Sequence, residues 1–319
     1  MIIIDSNEIY QKPLWLDTDF PALIIDNFLT QEEADKLVRD GEEFIKNQSK
    51  GKDIIHGGRF MIPWTSDKFH ELRKLSINWE IFSKKFTKKA YNIFLKELEN
   101  LNELSNTSIS SINELKKTSI NDIKNFKLSS KINFRNLKRK LNKLLDKKIG
   151  SIPPSKLFLV ALIRLLDSIW RNMNSFIYYL TRKKPLIPLL DYSFSSNGYG
   201  REIHRDSDNR LVVILLYLNT LGNDTEGGDL EIYKKNKDDK NFDPQPNKED
   251  CELQYKIKPR RGRILMFINQ FNSYHGVSEM LNDKNGRHFI YGGFTYPSSI
   301  FINKTRFSNT KFPTEMFIY

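Results

Sequence analysis

The sequence predicts an α+β protein in which helices come first and an antiparallel barrel or jelly roll follows. Helical periodicity with a capping box marks the first part of the chain. The second part holds five short segments that are rich in β-branched and aromatic residues and are separated by Gly/Asn/Asp turns. These segments are LVVILLYLN (211–219), DLEIYKK (229–235), QYKIKP (254–259), RILMFI (263–268) and HFIYGGFTY (288–296).

The composition indicates a folded globular chain. Of 319 residues, 39% are hydrophobic and 12% aromatic, which is too apolar for a disordered chain and enough for one or two cores. The single cysteine, Cys251, excludes an internal disulfide and a Cys-rich zinc site, and it fits a reducing compartment. An imidazole metal site has only five histidines to draw on: His56, His70, His204, His275 and His288.

Neither a targeting segment nor a membrane span is predicted. The opening MIIIDSNE has an early acid and no basic start, unlike a signal peptide. The most apolar stretch, Leu157 to Trp170, is interrupted by Arg164 and Asp167 and is too short to cross a bilayer. We therefore expect a cytoplasmic protein.

The N-terminal region predicts a strand followed by a helix. PALIIDNFL (21–29) has the composition of a short strand, and Thr30 with Glu33 forms a capping box at the start of an apolar helical pattern. Residues 52–80 mix Gly, Pro and aromatic residues, which predicts an irregular region that ends in a helix.

A basic block follows at 81–150. It holds 17 Lys/Arg against 6 Asp/Glu, so its net charge of +11 accounts for almost all of the +12 of the whole chain. An eleven-residue repeat relates LSNTSI (104–109) to LKKTSI (115–120) and predicts an apolar stripe on a long helix or helical hairpin. Helical periodicity resumes at 132–148 and 155–181, and strands begin after Pro185 and Pro188.

The pattern divides the chain into four predicted regions. They are a strand and helix support (1–80), a basic helical insertion with core-flanking helices (81–184), a β core (185–300) and a C-terminal tail (301–319).

His204, Asp206 and His275 form a candidate metal site. In an extended segment, residues two apart point to the same face, so His204 and Asp206 can coordinate one ion. His275, after the strand RILMFI, would complete a two-histidine, one-carboxylate face of the kind that suits non-haem Fe(II). Arg287, twelve residues later, carries a planar fork that can hold a carboxylate in two hydrogen bonds. Each residue alone is common on surfaces, and the combination is what makes the pattern specific.

The β region resembles the prolyl 4-hydroxylase-like 2-oxoglutarate/Fe(II) dioxygenases. The segments GYGREIHRDSDNRLVVILLYLN, EGGDLEIY, KPRRGRILMFINQFNSYHGV and GRHFIYGGFTYP carry the resemblance, which is strong over 190–297 and weaker over PALIIDNFLTQEEADKLV. The basic block has no counterpart in the family. The resemblance implies a double-stranded β-helix, or jelly-roll, core with N-terminal helices and a helical insertion.

The resemblance also implies roles for individual residues. It carries iron ligation onto His204, Asp206 and His275, and binding of the distal carboxylate of 2-oxoglutarate onto Arg287. Tyr217 is similar to a tyrosine that supplies a hydroxyl to that carboxylate. Tyr192 resembles a second tyrosine that contacts the co-substrate, with Tyr199 as the competing position.

The implied activity is oxidative hydroxylation with Fe(II), 2-oxoglutarate and O₂, with release of succinate and CO₂ and with ascorbate as an optional reductant. The substrate is a peptide or protein, prolyl-like, or a small molecule. Residues considered for the pocket mouth are His56, Arg59, Trp64 and Arg201.

Two other functions remain open at this point. Nucleic-acid demethylation is disfavoured, because AlkB-type enzymes have a second arginine where this chain has Gly293. The alternative from another class is a non-catalytic protein whose basic helical repeats bind nucleic acid or an anionic membrane surface.

Overall fold

The structure is a computed structural model of the 319-residue chain. It describes residues 1–48, 55–56, 58–105, 118–120, 184–206, 210–236, 244–270 and 272–295. Most of the repeat at 104–131, the helices predicted at 132–148 and 155–181, and the predicted tail lie outside the described residues.

Within the described residues, helices dominate the first part and strands the second, as predicted. The helices are α1 (Gln31–Gln48), α2 (Asp67–Leu75) and α3 (Ile77–Ser105). The strands are β1 (Ile2–Ile4), β2 (Leu14–Leu16), β3 (Ala22–Ile25), β4 (Ile55–His56), β5 (Arg59–Pro63), β6 (Thr118–Ile120), β7 (Lys184–Ser195), β8 (Arg201–His204), β9 (Arg210–Tyr217), β10 (Leu230–Lys235), β11 (Cys251–Ile257), β12 (Ile264–Ile268), β13 (His275–Val277) and β14 (Arg287–Thr295).

The strands form two sheets. The smaller sheet has the order β1-β11-β10-β13-β8. The larger sheet has the order β2-β3-β12-β9-β14-β7-β5-β4, with β6 pairing to β7 in addition. Apart from the parallel pairs β1–β11 and β6–β7, neighbouring strands are antiparallel. The strands that carry His204 and His275 are neighbours at one edge of the smaller sheet.

Apolar side chains form two cores, one on each face of the larger sheet. One core lies between the two sheets and includes Val213, Tyr217 and Phe289. The other lies between the larger sheet and the helices and includes Tyr192 and Ile290. Because side chains alternate along a strand, neighbouring residues of β14 contribute to opposite cores. This alternation decides which polar side chains can reach the space between the sheets.

The predicted capping box at the start of α1 is confirmed. The Thr30 hydroxyl accepts the Glu33 backbone N–H at 3.2 Å, and the Glu33 carboxylate accepts the Thr30 backbone N–H at 2.9 Å. The two side chains thereby satisfy backbone donors that the first turn of a helix leaves without partners.

Helix α3 crosses the domain boundary predicted at residue 80. Its buried side chains include Trp79, Phe86, Phe94 and Leu98, which belong to the core between helices and sheet. Aromatic residues at this spacing form one apolar stripe on a helix. The segment from residue 81 to Leu98 therefore packs against the protein core, although the block from 81 was predicted to be an insertion because it has no counterpart in the resembled family.

A short part of the predicted repeat helix is a strand. Thr118–Ile120 forms β6 and pairs in parallel with β7, with Ile120 opposite Leu186. Thr and Ile are β-branched and favour extended backbone. The helical prediction is therefore wrong for these three residues. Among the helices in the described part of the chain, none combines the length and apolar character that a membrane crossing requires.

Candidate metal centre

Sheet register brings the two predicted histidine ligands together. β8 and β13 are antiparallel neighbours, and His275 lies directly opposite His204. The two imidazole rings are 4.5 Å apart between centroids. Gly276 permits this approach, because a Cβ there would lie 2.9 Å from the carbonyl oxygen of Arg201. A residue with a side chain at this position would push β13 away from β8.

Asp206 completes the cluster two residues after His204. One ligand atom from each of His204, Asp206 and His275 lies within 4.8 Å of the other two. The Nε2 atom of His275 is 3.8 Å from Oδ2 of Asp206, too far for a hydrogen bond. This Nε2 atom is buried and has no hydrogen-bond partner among the described residues. A buried polar atom without a partner is costly, and a metal ion would satisfy it.

Backbone carbonyls fix both histidines in the tautomer that a metal requires. Nδ1 of His204 lies 2.8 Å from the carbonyl oxygen of Glu202, and Nδ1 of His275 lies 3.0 Å from that of Ser273. A carbonyl only accepts, so each Nδ1 carries the proton and each Nε2 keeps its lone pair. Metal-binding histidines are commonly held in this way.

The ionisation states also suit a cation. Burial, together with the proximity of His275, lowers the pKa of His204 to about 4, and burial lowers the pKa of His275. Burial acts to raise the pKa of Asp206, but the positive charge of Arg210 and the contacts with His275 and Tyr291 outweigh it, and the pKa falls to about 2. Neutral imidazoles and an ionised carboxylate are the forms that bind metal.

Two side chains that the sequence analysis gave no role contact Asp206. The Tyr291 hydroxyl lies 2.7 Å from Oδ1 and 2.9 Å from Oδ2, and Nη1 of Arg210 lies 2.9 Å from Oδ2. Arg210 also donates to the Tyr291 hydroxyl oxygen at 3.0 Å. Tyr291 could have been found by counting in twos along β14 from Arg287, since residues two apart share a face.

The structure brings Arg287 and Tyr217 into the space between the sheets. Arg287 is 1% exposed, and its Cζ atom lies 5.1 Å from the ring centroid of Tyr217. Nη1 of Arg287 donates to the carbonyl oxygen of Gly228 at 2.8 Å. Burial raises the pKa of Tyr217 to about 12, so its phenol stays protonated and can donate.

Three polar atoms in this region are buried without a hydrogen-bond partner among the described residues: Tyr217 Oη, Arg287 Nε and Ser195 Oγ. Ser195 lies directly opposite Arg287 in the register of β7 and β14. One guanidinium N–H and two hydroxyls without partners fit a bound carboxylate, which accepts several hydrogen bonds.

The structure does not bring Tyr192 to this site. Its ring packs on Trp79 at 4.7 Å between centroids, and its hydroxyl lies 2.9 Å from Nδ1 of His288, on the helix side of the larger sheet. The side-chain alternation of β7 sends Ser193 and Ser195 inward and Tyr192 outward. Tyr199 is buried on the turn after β7 and is not among the residues of the helix-side core that holds Tyr192, so it stays the candidate of the two.

The residues considered for the pocket mouth separate into different environments. Arg59 lies inside, where its Cζ atom is 4.9 Å from the ring centroids of both Phe289 and Tyr291. Trp64 instead stacks on Phe69 in the helix-side core, 4.9 Å between centroids. Arg201 is exposed. The side chain of His56 is outside the described set.

A family model shows what the β region of this chain is similar to. Residues 189–294 match the family model described as the 2OG-Fe(II) oxygenase superfamily, whose members are oxidoreductases that use Fe(II) and 2-oxoglutarate. The resemblance predicted from the sequence is thereby confirmed for these residues at the level of the superfamily. No curated protein matches the chain.

Three solved structures are similar to this chain. An oxidoreductase of the 2OG-Fe(II) oxygenase family from Burkholderia pseudomallei shares 12% identity over 35% of this chain and 44% of that chain, with a TM-score of 0.23. A Pseudomonas putida prolyl-4-hydroxylase shares 20% identity over 48% and 70%, with a TM-score of 0.25. A Trichoplax adhaerens prolyl hydroxylase, solved with a hypoxia inducible factor peptide fragment, shares 14% identity over 88% and 85%, with a TM-score of 0.36. The aligned part thus spans less than half of the Burkholderia protein, and all three TM-scores are low.

Proposed function

We propose that this chain, whose residues 189–294 match the 2OG-Fe(II) oxygenase superfamily, is an Fe(II)- and 2-oxoglutarate-dependent dioxygenase. It hydroxylates a peptidyl, prolyl-like substrate or a small molecule and releases succinate and CO₂. In this proposal the two sheets form a double-stranded β-helix. The observation that carries the proposal is the convergence of His204, Asp206 and His275 within 4.8 Å.

His204 Nε2, His275 Nε2 and one Asp206 oxygen would hold the metal. When bound, Fe(II) supplies a redox-active centre with positions open for O₂ and for the keto acid end of 2-oxoglutarate. The protein keeps both imidazoles neutral and orients them with Nε2 toward the metal, because the carbonyls of Glu202 and Ser273 accept from Nδ1. The Asp206 carboxylate stays ionised beside Arg210.

Arg287 and Tyr217 would bind the distal carboxylate of the co-substrate. The buried guanidinium offers Nε, and the phenol offers its proton, without breaking any hydrogen bond that the described residues make. Phe267 and Phe289, both about 1–2% exposed, line the core beside them and exclude water. Exclusion of water strengthens the hydrogen bonds to a bound dianion.

The test is an anaerobic titration of the whole protein. Under argon, Fe(II) plus 2-oxoglutarate should give a weak charge-transfer band in the visible spectrum, and adding O₂ should release succinate. His275→Ala should lose both signals, whereas His70→Ala, which changes an exposed histidine on α2, should keep them. A wild-type protein that shows neither the band nor succinate would refute the proposal.

The substrate class needs a separate experiment. Peptides that contain proline and a set of small metabolites would be screened for faster succinate release than in the absence of substrate. Mass spectrometry of the accelerating compound should show one added oxygen atom. Acceleration by metabolites and by none of the peptides would reject a peptidyl substrate.

A further inference from the structure

The carboxylate of Asp206 is contacted from the opposite sheet. Asp206 follows β8 in the smaller sheet, whereas Tyr291 belongs to β14 and Arg210 to β9 of the larger sheet. The three side chains meet in a closed triangle of contacts, each 2.7–3.0 Å long. Asp206 and Arg210 are only 10% and 17% exposed in their side chains.

We infer that Tyr291 and Arg210 are positioning residues that hold Asp206 in the orientation in which it binds metal. The inference rests on the proposed function, because it concerns the same metal site. Neither side chain belongs to the candidate ligand set. Both act through the carboxylate.

The donors and acceptors of the triangle have only one consistent assignment. Arg210 is always a donor, so the Tyr291 oxygen must accept from it and the Tyr291 proton must point to Asp206. Oδ2 also receives the direct contact from Arg210. Hydrogen bonds to an ionised carboxylate are short and strong, so they restrict its rotation. The carboxylate is thus presented in one orientation before any metal arrives.

The phenol is itself held in place. Its ring centroid lies 5.1 Å from the Cζ atom of Arg210 and 4.9 Å from that of Arg59. Nη2 of Arg59 lies 2.5 Å from Asp191, which is directly opposite Tyr291 in the sheet register. Two guanidinium groups beside one ring are attracted to its π electrons and limit its movement. The position of the Tyr291 hydroxyl is therefore fixed from the side of the larger sheet.

A different role for the triangle is to join the two sheets. That role predicts a loss of stability when Tyr291 changes, with metal affinity unchanged in the folded protein. The positioning role predicts that metal affinity falls more than stability does, because an unrestrained carboxylate must be ordered when the metal binds. Metal affinity and stability therefore have to be measured on the same variants.

The experiment titrates apo-protein with Mn(II), an air-stable probe that prefers oxygen and nitrogen ligands, and follows free Mn(II) by electron paramagnetic resonance. Tyr291→Phe removes only the hydroxyl. We expect its Mn(II) dissociation constant to rise about tenfold to 100-fold, the range for loss of a residue that orients a metal ligand. Thermal unfolding without metal is recorded in parallel.

Tyr233→Phe is the matched control. The Tyr233 hydroxyl also donates to a carboxylate, Glu231, at 2.6 Å, but Tyr233 packs with Ile203 and Tyr274 in a separate cluster. This variant should bind Mn(II) as the wild type does. If Tyr291→Phe binds Mn(II) within twofold of the wild type, the positioning role is refuted.

Arg210 gives a second, independent variant. Arg210→Gln should weaken Mn(II) binding as Tyr291→Phe does. Arg210→Lys should restore part of the affinity, because it keeps a positive charge and N–H donors but lacks the planar guanidinium that lies against the Tyr291 ring. Equal affinity in Arg210→Gln and the wild type would also overturn the inference, even if Tyr291→Phe does not fold. A wild-type protein that binds no Mn(II) or Fe(II) would instead refute the proposed function.

Discussion

Arg287 and Tyr217 lie side by side in the space between the sheets, with the Cζ atom of Arg287 5.1 Å from the ring centroid of Tyr217. Both are almost completely buried, yet Arg287 Nε and Tyr217 Oη have no hydrogen-bond partner among the described residues. Burial of unpaired donors is unfavourable unless a ligand accepts from them. The pair is therefore prepared for an anion, and the co-substrate carboxylate is the anion that the proposed function supplies.

Arg287→Ala should weaken 2-oxoglutarate binding and leave Mn(II) binding unchanged. The lost contact includes charged hydrogen bonds of about 1.5–3 kcal/mol each. We therefore expect the apparent KM for 2-oxoglutarate to rise at least about tenfold. Arg287→Lys should recover only part of the loss. The KM is measured from succinate release, and an unchanged value in the alanine variant would place the carboxylate site elsewhere.

Tyr217→Phe should raise the 2-oxoglutarate KM by a smaller factor. Loss of one neutral donor costs about 0.5–1.5 kcal/mol, which corresponds to roughly a twofold to tenfold change. Tyr192→Phe is the control, since the Tyr192 hydroxyl lies on the helix side at 2.9 Å from His288. It should lower the melting temperature and leave the KM unchanged. A larger KM effect in Tyr192→Phe than in Tyr217→Phe would contradict this assignment.

Removal of any candidate metal ligand should stop turnover without unfolding the protein. His204→Ala, Asp206→Ala and His275→Ala are expected to lose succinate release and the Fe(II)/2-oxoglutarate band. Their far-ultraviolet circular dichroism should match that of the wild type, because these polar side chains lie outside the two main apolar cores. Wild-type rates of succinate release in all three variants would show that the metal assignment is wrong.

Much of the site follows from sequence spacing alone. His204 and Asp206 are two residues apart, and this spacing by itself places them on one side of the chain. The partner residues Tyr291 and Arg210 depend on how the two sheets face each other. Spacing along β14 places Tyr291 on the same face as Arg287, but it does not show that this face meets Asp206, so neither residue was predicted to act at the site.

Tyr192 shows how a strand prediction can fail by one residue. The resemblance placed a tyrosine at the first core strand, but only the register of β7 decides which face each side chain takes. A shift of one residue moves a side chain from one core to the other. In β7 the inward positions hold Ser193 and Ser195, both fully buried.

The length of β7 could not be predicted from the sequence. Pro185 and Pro188 lie near the start of this strand, and proline is unusual within a sheet.

The buried ion pair Arg263–Asp26 is expected to be the main contact that holds the N-terminal segment, which includes Asp26, to the rest of the protein. Nε and Nη2 of Arg263 contact the two Asp26 oxygens at 2.6 and 3.1 Å, and neither side chain is exposed. Asp26→Ala leaves a buried charge without its partner, so we expect a loss of about 3–5 kcal/mol in the free energy of unfolding. Urea denaturation measures this loss.

Asp35→Ala is the control for that variant, since Asp35 pairs with Arg261 at a position where the two side chains are 56% and 33% exposed. Surface pairs contribute about 0–1 kcal/mol, so this change should be small. Equal effects of Asp26→Ala and Asp35→Ala would show that the buried pair has no special role.

Phe94→Ala tests whether the first part of the basic block belongs to the folded unit. Phe94 is 1% exposed, lies 6.1 Å from Trp15 between ring centroids, and belongs to the core between helices and sheet. Truncating a buried phenylalanine costs about 3–5 kcal/mol, through lost burial and the cavity that remains. Lys96→Ala, two residues along α3, removes an exposed side chain and should change stability by less than about 0.5 kcal/mol.

Urea denaturation compares the stability of the two variants. Mn(II) titration of folded Phe94→Ala should give the wild-type dissociation constant, since α3 contributes none of the candidate ligands. If Phe94→Ala were as stable as Lys96→Ala, α3 would be dispensable and the whole block from residue 81 would be an insertion outside the core, as its lack of a family counterpart had suggested.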